Sequence, residues 1–295
     1  MASIAFIGLG NMGGPMVANL VKAGHKVIAF DLVAASRDQA KADGAAIAES
    51  SVTAVKGAEV VITMLPAGKH MLSVWQEVVP AMTKGALIID CSTIDVESAK
   101  QAHALAAGHG VGSIDAPVSG GTGGAKAATL TFMCGGAGKA FASAKPVLEN
   151  MGKKIVHCGG AGAGQSAKIC NNMILGISMI AVSEAFALAE KLGLSHQALF
   201  DVASTSSGQC WSLTSYCPVP GPVPASPANN DYKPGFATAL MLKDLTLAQD
   251  AAKATGAATP LGRHAQEIYK AFDGTGNGSV DFSGIIQHVR KLASK

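Results

Sequence analysis

The feature that most constrains this chain is a glycine-rich turn close to its N-terminus. An apolar run, Ser3–Ile7, is followed by Gly8, Gly10 and Gly13 in the spacing G-x-G-x-x-G, and a helical pattern begins at once. In such a strand–turn–helix unit the first glycine makes the tight turn, the second lets a pyrophosphate approach the backbone, and the third lets helix and strand pack closely. Because the helix N-terminus faces the phosphate charge, the pattern predicts a dinucleotide site.

The end of the second predicted strand supports this interpretation. That strand, Lys26–Phe30, is followed by Asp31, an acid that can accept hydrogen bonds from the adenosine ribose hydroxyls and that repels a 2′-phosphate. We therefore expect NAD rather than NADP, with Arg37 as the one nearby residue that could favour NADP. The cofactor-binding residues predicted in and beside the turn are Gly8, Leu9, Gly10, Asn11, Met12, Gly13 and Asp31.

The remaining pattern predicts two domains. Short apolar runs alternate with helical patterns through the first half, which is typical of a parallel sheet covered by helices on both faces. A glycine-rich hinge, Gly159–Gly164, is followed by a long apolar helical pattern, Gln165–Lys191, and then by helical patterns alone. We expect a Rossmann-like doubly wound α/β domain over residues 1–163 and an all-helical substrate and oligomerisation domain over residues 164–295.

Two short segments at predicted strand ends are candidates for ligand contacts, because open α/β sheets bind ligands there. Leu65-Pro66 and Thr93 lie on the expected cofactor side, although both are equally compatible with ordinary turns. The segment Ser119-Gly120-Gly121 presents a hydroxyl and free amides, which suits a carboxylate. The alternative is a flexible glycine loop.

Polar residues lie near the start of the long helical pattern, which is otherwise mostly apolar. Lys168 and Asn172 are four residues apart and share one helix face. A buried lysine can serve as a general acid/base, whereas a snorkelling lysine at a helix start is the equal alternative. Further along, Lys243-Asp244 places a charged pair in an apolar helix, where it either contacts the cofactor or forms a structural ion pair.

Composition excludes several classes of function. The formal net charge is +3 with no basic run, so we expect no nucleic-acid partner. No cysteine or histidine pair has metal-site spacing, so we expect no metal. The longest uncharged apolar stretch, Ile169–Ser183, is shorter than the roughly 20 residues of a membrane span. The segment Pro218–Pro234 predicts an irregular loop, with a polyproline ligand as the alternative.

Taken together, these motifs resemble the β-hydroxyacid dehydrogenase family, and within it the 3-hydroxyisobutyrate dehydrogenases. The resemblance rests on the glycine turn, on DAPVSGG at Asp115–Gly121, on GQSAKICNN at Gly164–Asn172 and on Lys243-Asp244, in that order along the chain. It implies Lys168 as catalytic acid/base. It further implies substrate contacts by Ser119, Gly120, Gly121, Asn172 and Lys243, and cofactor contacts by Leu65, Pro66, His70, Thr93 and Lys243.

The resemblance also implies a substrate and an assembly. Within the family, Trp211 would be an apolar wall suited to a branched methyl group, unless it is simply a core residue. We expect NAD-dependent oxidation of 3-hydroxyisobutyrate to methylmalonate semialdehyde, a step of valine catabolism. L-serine or another small β-hydroxyacid or semialdehyde is the alternative, and a non-catalytic nucleotide-binding module is a remote one. A cytoplasmic homodimer or homotetramer is expected, or a mitochondrial matrix enzyme if a transit peptide was removed.

Overall fold

The computed structural model describes residues 1–292 and divides the chain into two compact units. The first unit is Met1–Lys168 and the second begins at Ile169. The boundary predicted between residues 163 and 164 precedes this division by little more than one helical turn. The difference arises because the first turn of the long helix makes its hydrogen bonds within the first unit, as described below.

The first unit contains one nine-stranded sheet. Its strands are β1 Ser3–Ile7, β2 Lys26–Phe30, β3 Ala46–Ile47, β4 Val60–Thr63, β5 Leu87–Asp90, β6 Gly112–Asp115, β7 Val118–Ser119, β8 Leu130–Gly135 and β9 Gly152–Gly159. The order across the sheet is β3-β2-β1-β4-β5-β6-β8-β7, with β9 paired to β8. Strands β1 to β6 run parallel, so the predicted Rossmann-like fold is confirmed. Their carboxyl ends lie at one edge, where Ile7 pairs with Phe30 and Thr63.

The last part of this sheet departs from the all-parallel pattern. Strand β8 is antiparallel to β6 and β7, and parallel to β9. Only a short glycine-rich helix, α6 Gly121–Lys126, separates β7 from β8. A parallel connection needs a crossover of about a dozen residues or more, so the chain turns back instead.

Helices cover both faces of the sheet, as the uninterrupted apolar strands require. They are α1 Gly13–Lys22, α2 Ala34–Ala42, α3 Ser51–Val55, α4 Gly68–Val78, α5 Val96–Gly108 and α7 Gly138–Leu148. Successive residues of a strand point to opposite faces of the sheet and pack into two separate cores. Ile4 and Phe6 lie in the core that includes Met16 and Leu20 of α1. Ala5 and Ile7 lie in the core that includes Trp75 of α4.

In its described residues the second unit consists of helices and loops, with one isolated bridge between Ala237 and Asp281. The long helix α8 Ala163–Lys191 leads into it, and the others are α9 His196–Ala203, α10 Trp211–Thr214, α11 Thr238–Thr255, α12 Pro260–Phe272 and α13 Ile285–Leu292. Met179 and Ile180 of α8 share a core with Leu245 of α11 and Tyr269 of α12. The helical C-terminal domain is thereby confirmed.

Helix α8 satisfies the length and hydropathy criteria of a membrane span. It has 29 residues, and its most apolar window has a mean hydropathy of 1.7. The sequence-based argument, which rested on the shorter stretch Ile169–Ser183, therefore underestimated it. Half of that window is buried within the protein, and the core helix of a globular protein passes the same test. One such helix is weak evidence for a membrane.

The proline-rich segment is an ordered irregular loop, as favoured from the sequence. Ser226 donates a hydrogen bond to the Cys217 carbonyl at 2.6 Å, and the Tyr232 hydroxyl donates to the Pro218 carbonyl at 2.8 Å. The buried Asp281 accepts from the Tyr216 hydroxyl and from the Gly235 amide at 2.9 Å each. A segment tied down in this way is not a free polyproline ligand.

Candidate active site

The glycine turn has the geometry that its spacing predicts. Gly8 has φ +97°, and its amide donates to the Phe30 carbonyl at 2.9 Å. A Cβ on Gly8 would lie 2.2 Å from the Met64 carbonyl oxygen, and one on Gly13 would lie 1.9 Å from the Gly8 carbonyl oxygen. A Cβ on Gly10 would meet no atom within 4 Å. Gly8 and Gly13 are therefore required by the fold, whereas Gly10 faces open space.

This open space suits the pyrophosphate of a dinucleotide. Helix α1 begins here with no side-chain cap at Met12 and no acidic residue in its first turn. The Gly14 amide donates to the Gly10 carbonyl at 3.1 Å and Pro15 has no amide hydrogen, so it is the positive end of the helix dipole that favours an anionic partner here. Leu9, Gly10 and Asn11 also border a cleft of about 580 Å³ that continues between α1 and α2. The residues present fit the cofactor that the turn predicts.

Asp31 joins the glycine turn to the end of β2. Its carboxylate accepts from the Leu9 amide at 2.6 Å through Oδ2 and from the Val33 amide at 2.7 Å through Oδ1. Arg37 donates through Nη1 to the carbonyls of Asp31, at 2.6 Å, and Leu32, at 3.0 Å. This guanidinium nitrogen is thus engaged with the main chain, which weakens the one sequence argument for NADP.

A buried hydroxyl network lies behind Leu65. The Leu65 amide donates to Ser92 Oγ at 2.7 Å, and Ser92 Oγ donates to Asp90 Oδ1 at 2.6 Å. Thr63 Oγ1 donates to the same carboxylate oxygen at 2.7 Å and accepts from Trp75 Nε1 at 3.1 Å. Burial raises the pKa of Asp90 from 3.8 to about 6, against the lowering effect of these hydrogen bonds. The network fixes the backbone at Leu65 and Ser92.

The remaining predicted cofactor residues lie on the loops that this network supports. Pro66 and His70 are exposed, and His70 lies in the first turn of α4. Thr93 follows Ser92 directly, after the end of β5. These placements are compatible with cofactor contacts, which remain predictions for all three residues.

The Ser119-Gly120-Gly121 segment is held in place rather than flexible. Ser119 pairs with Thr131 of β8. Gly120 has φ +134° and Gly121 has φ +60°, so the segment depends on glycine at both positions. A Cβ on Gly120 would also approach the Leu130 side chain to 3.1 Å. The binding of a substrate carboxylate here stays a prediction.

Asp115, just upstream of that segment, caps the start of α8. Its carboxylate accepts from the Gly162 amide through Oδ1 and from the Gln165 amide through Oδ2, each at 2.9 Å. His103 Nε2 lies 2.8 Å from Asp115 Oδ1. Gly164 permits this close approach, since a Cβ there would lie 2.8 Å from Asp115 Oδ2. The carboxylate thus anchors the helix turn that precedes Lys168.

Gln165 makes a second connection from the same turn. Its Nε2 donates to the Ser92 carbonyl at 2.8 Å, and its Oε1 accepts from the Ile94 amide at 3.1 Å. Neither Gln165 nor Asp115, beyond its place in the motif, was a predicted site residue. A polar amide among the apolar residues of α8 was the only available signal.

Lys168 lies one turn further along α8 and is 7% exposed. A snorkelling lysine would keep its ammonium group in water, so this low exposure favours the acid/base interpretation, which stays a prediction. Asn172, 1% exposed, donates to Asp244 Oδ2 at 2.5 Å. Lys243 Nζ lies 3.3 Å from Asp244 Oδ1. Asp244 therefore brings together two of the predicted substrate residues, Asn172 and Lys243, within the second unit.

Trp211 is not a core residue, because it is 51% exposed. Its ring stacks on Tyr216 at a centroid distance of 4.9 Å, and Tyr216 stacks on Phe282 at 5.3 Å. The outer face of Trp211 is therefore available to a ligand or partner, and a substrate contact stays a prediction. Among residues 1–292, no three His, Cys, Asp or Glu side chains are placed to hold a metal ion.

Two family models match the chain and together span nearly all of it. Residues 3–160 match the NAD binding domain of 6-phosphogluconate dehydrogenase. Residues 162–289 match the NAD-binding domain of NADP-dependent 3-hydroxyisobutyrate dehydrogenase. The change from one model to the other falls in the glycine-rich stretch at the start of α8.

Full-length relatives agree with these models. The chain is 55% identical to a probable 3-hydroxyisobutyrate dehydrogenase of Mycobacterium tuberculosis, with 99% of each chain covered. It is 46% identical to an NAD-dependent L-serine dehydrogenase of Pseudomonas aeruginosa, with 96% of each covered. A solved structure of the M. tuberculosis 3-hydroxyisobutyrate dehydrogenase with L-serine is similar at a TM-score of 0.95 and 56% identity, covering 98% of this chain and 99% of that one.

Proposed function

The chain belongs to the β-hydroxyacid dehydrogenase family, in its 3-hydroxyisobutyrate dehydrogenase branch, and from this we propose that it oxidises 3-hydroxyisobutyrate to methylmalonate semialdehyde. It is an NAD-dependent dehydrogenase. The observation that carries the proposal is the buried Lys168, held one helical turn after a segment anchored by Asp115. A lysine withdrawn from water in this way is suited to exchange a proton with substrate.

We assign the roles as follows. Lys168, as the neutral amine, accepts the hydroxyl proton of the substrate at Nζ while the C–H bond of the same carbon breaks. NAD, when bound, supplies the hydride acceptor. Ser119, Gly120 and Gly121 hold the substrate carboxylate, which fixes the orientation of the reacting carbon. Asn172 holds the hydroxyl group.

Two further residues complete the proposed site. Lys243 would contact the cofactor and substrate, and its position beside Asp244 keeps a positive charge near Asn172. Trp211 would present its exposed ring to the substrate methyl group. Such a ring can pack against a methyl group, but its π-face also attracts an ammonium group such as that of L-serine, so the choice of substrate is left to the rate measurements.

We also propose that the enzyme prefers NAD over NADP. Asp31 places a carboxylate where a 2′-phosphate would have to lie, and like charges repel. Arg37 Nη1 is already engaged with two main-chain carbonyls, so that nitrogen is not free to meet the phosphate.

The expected setting is a cytoplasmic homo-oligomer acting in valine catabolism. Bacterial relatives at high identity support the location. Exposed apolar side chains along α8, Ile174 and Leu188, support an interface between copies. Light scattering coupled to gel filtration would measure the number of subunits.

L-serine is the second candidate substrate, favoured by the P. aeruginosa relative and by the M. tuberculosis structure solved with L-serine. Initial rates with NAD and NADP against 3-hydroxyisobutyrate, L-serine and 6-phosphogluconate decide between them. We expect the highest kcat/KM for 3-hydroxyisobutyrate with NAD. A higher value for L-serine would overturn the substrate, and no turnover with any of them would favour a nucleotide-binding module.

The mechanism has its own test. We expect Lys168→Ala to lose most of kcat while the Kd of NAD changes little, because the residue acts on the substrate proton. Substantial turnover in this variant would refute the assignment of Lys168.

A further inference from the structure

We propose that Gln165 is a positioning residue that sets the location of Lys168 relative to the loop carrying Thr93. This inference rests on the proposed function, since it assumes that Lys168 exchanges a proton with substrate. Gln165 is fully buried in the first turn of α8. Burying a side-chain amide is costly unless its polar atoms are hydrogen-bonded, so its partners matter.

The side-chain amide of Gln165 makes two hydrogen bonds to the loop after β5. Nε2 donates to the Ser92 carbonyl at 2.8 Å, and Oε1 accepts from the Ile94 amide at 3.1 Å. The two bonded residues flank Thr93 on both sides. Residue 93 therefore cannot shift relative to the start of α8 without breaking a buried hydrogen bond.

Both ends of this contact are themselves fixed. The main-chain amide of Gln165 donates to Asp115 Oδ2 at 2.9 Å, which ties the helix turn to the end of β6. Ser92 is held from its other side, because its Oγ donates to the buried carboxylate of Asp90 at 2.6 Å. Gln165 thus connects the strand-end loop on the expected cofactor side with the segment that leads to Ser119.

Lys168 follows Gln165 by three residues on a continuous helix, so the backbone positions are about 4.5 Å apart along the axis. A change in how the first turn sits against Ser92 and Ile94 is therefore passed to Lys168 almost undiminished. Proton transfer needs heavy atoms within roughly 2.6–3.2 Å of each other. A misplacement of about 1 Å can lower the rate by about 100-fold.

The test uses the full-length enzyme and whichever hydroxyacid gives the higher kcat/KM. Gln165→Met keeps the side-chain length but removes both the donor and the acceptor. Gln165→Glu keeps an acceptor for the Ile94 amide and loses the donor to the Ser92 carbonyl. Gln266→Met is the matched control, since Gln266 is a half-buried helical glutamine that donates to Thr246 Oγ1 at 3.0 Å in the second unit.

We expect Gln165→Met to lower kcat by about 100-fold. The Kd of NAD and the number of NAD sites per chain should stay within about threefold of the original, because the glycine turn and Asp31 are untouched. The primary deuterium isotope effect on kcat, with deuterium on the oxidised carbon, should be at least as large as in the original enzyme. Gln165→Glu, which sets a buried carboxylate oxygen against the Ser92 carbonyl, should lose at least as much of kcat as Gln165→Met, and Gln266→Met should change none of these values.

Two results would overturn the inference. One is a kcat in Gln165→Met within threefold of the original. The other is a loss of kcat that only matches a loss of NAD sites, because this would indicate a smaller folded fraction rather than a misplaced Lys168. Failure of the proposed function is distinct from both, since it appears as substantial turnover in Lys168→Ala or as no turnover in the unmodified enzyme.

Discussion

Replacing Asp115 by alanine should destabilise the first unit more than most single substitutions do. The Asp115 carboxylate accepts from the amides of Gly162 and Gln165 at 2.9 Å each, and all three residues are buried. Alanine leaves both amides without an acceptor, at about 1–3 kcal/mol for each orphaned donor. The expected loss in the free energy of unfolding is therefore about 2–6 kcal/mol. His103, which lies beside the carboxylate, would lose its partner as well.

Asparagine at position 115 separates hydrogen bonding from side-chain volume. Its carbonyl oxygen can still accept from one of the two amides, whereas its NH₂ group would face the other. We expect Asp115→Asn to lose about half as much stability as Asp115→Ala. Asp95→Ala is the matched control, because Asp95 caps α5 through a single bond to the Ser98 amide at 2.7 Å. Its expected cost is about 1 kcal/mol.

Equilibrium unfolding in urea measures these values. Because the two units can unfold separately, the fluorescence of Trp75 should be followed in a Trp211→Phe background, so that the signal reports the first unit alone. A loss below 1 kcal/mol for Asp115→Ala, or equal losses for alanine and asparagine, would refute the argument from the two orphaned amides.

Three further predictions concern charged groups. Burial raises the pKa of Asp90 from 3.8 to about 6, so the folded state resists its ionisation and stability should fall as pH rises from about 4 to about 6. Over this pH range the free energy of unfolding should fall by about 3 kcal/mol more in the original protein than in Asp90→Asn. The same pH dependence of stability in both proteins would contradict the raised pKa of Asp90. The hydrogen bond from Arg290 lowers the pKa of Glu190 below its usual 4.5. The Glu190–Arg290 pair therefore stabilises the fold above pH 4.5, and this contribution is lost as the pH falls below it. The urea midpoint of Glu190→Gln should depend less on pH between 5 and 3 than that of the original protein, and equal dependence would contradict the pairing. Asp31→Ala should raise the Kd of NAD by about tenfold or more, because the charge-assisted hydrogen bonds to the ribose hydroxyls are lost. It should also reduce the preference for NAD over NADP. An unchanged Kd, measured by fluorescence titration, would exclude Asp31 from cofactor binding.

The best sequence-based predictions were those that depend on the local chain. The strands Ser3–Ile7 and Lys26–Phe30 were predicted at the bounds the structure has. Each is a short apolar run between turn residues, a pattern that requires no knowledge of distant partners. Gly8 and Gly13 were interpreted correctly for the same reason, since their roles follow from a strand–turn–helix geometry within a few residues.

Other features could not be predicted in this way. The antiparallel course of β8 depends on how β7 and α6 return the chain to the sheet, which no periodicity in Leu130–Gly135 reveals. From the sequence, Lys168 was equally compatible with an acid/base and with a snorkelling lysine, because its burial depends on the tertiary structure. Trp211 was expected to be either a wall or a core residue; its exposed ring excludes the core residue, and the substrate wall stays a prediction.

Sequence alone determined the fold class, the glycine turn and the family. These follow from glycine spacing and hydrophobic periodicity, which are properties of short segments of the chain. Tertiary structure alone decided how the candidate site is held together. Gln165 contacts Asp115, 50 positions away, and Ser92, 73 positions away. Hydrogen bonds of this kind depend on where the strand ends meet the start of α8, and the folded sheet alone brings those segments within 3 Å.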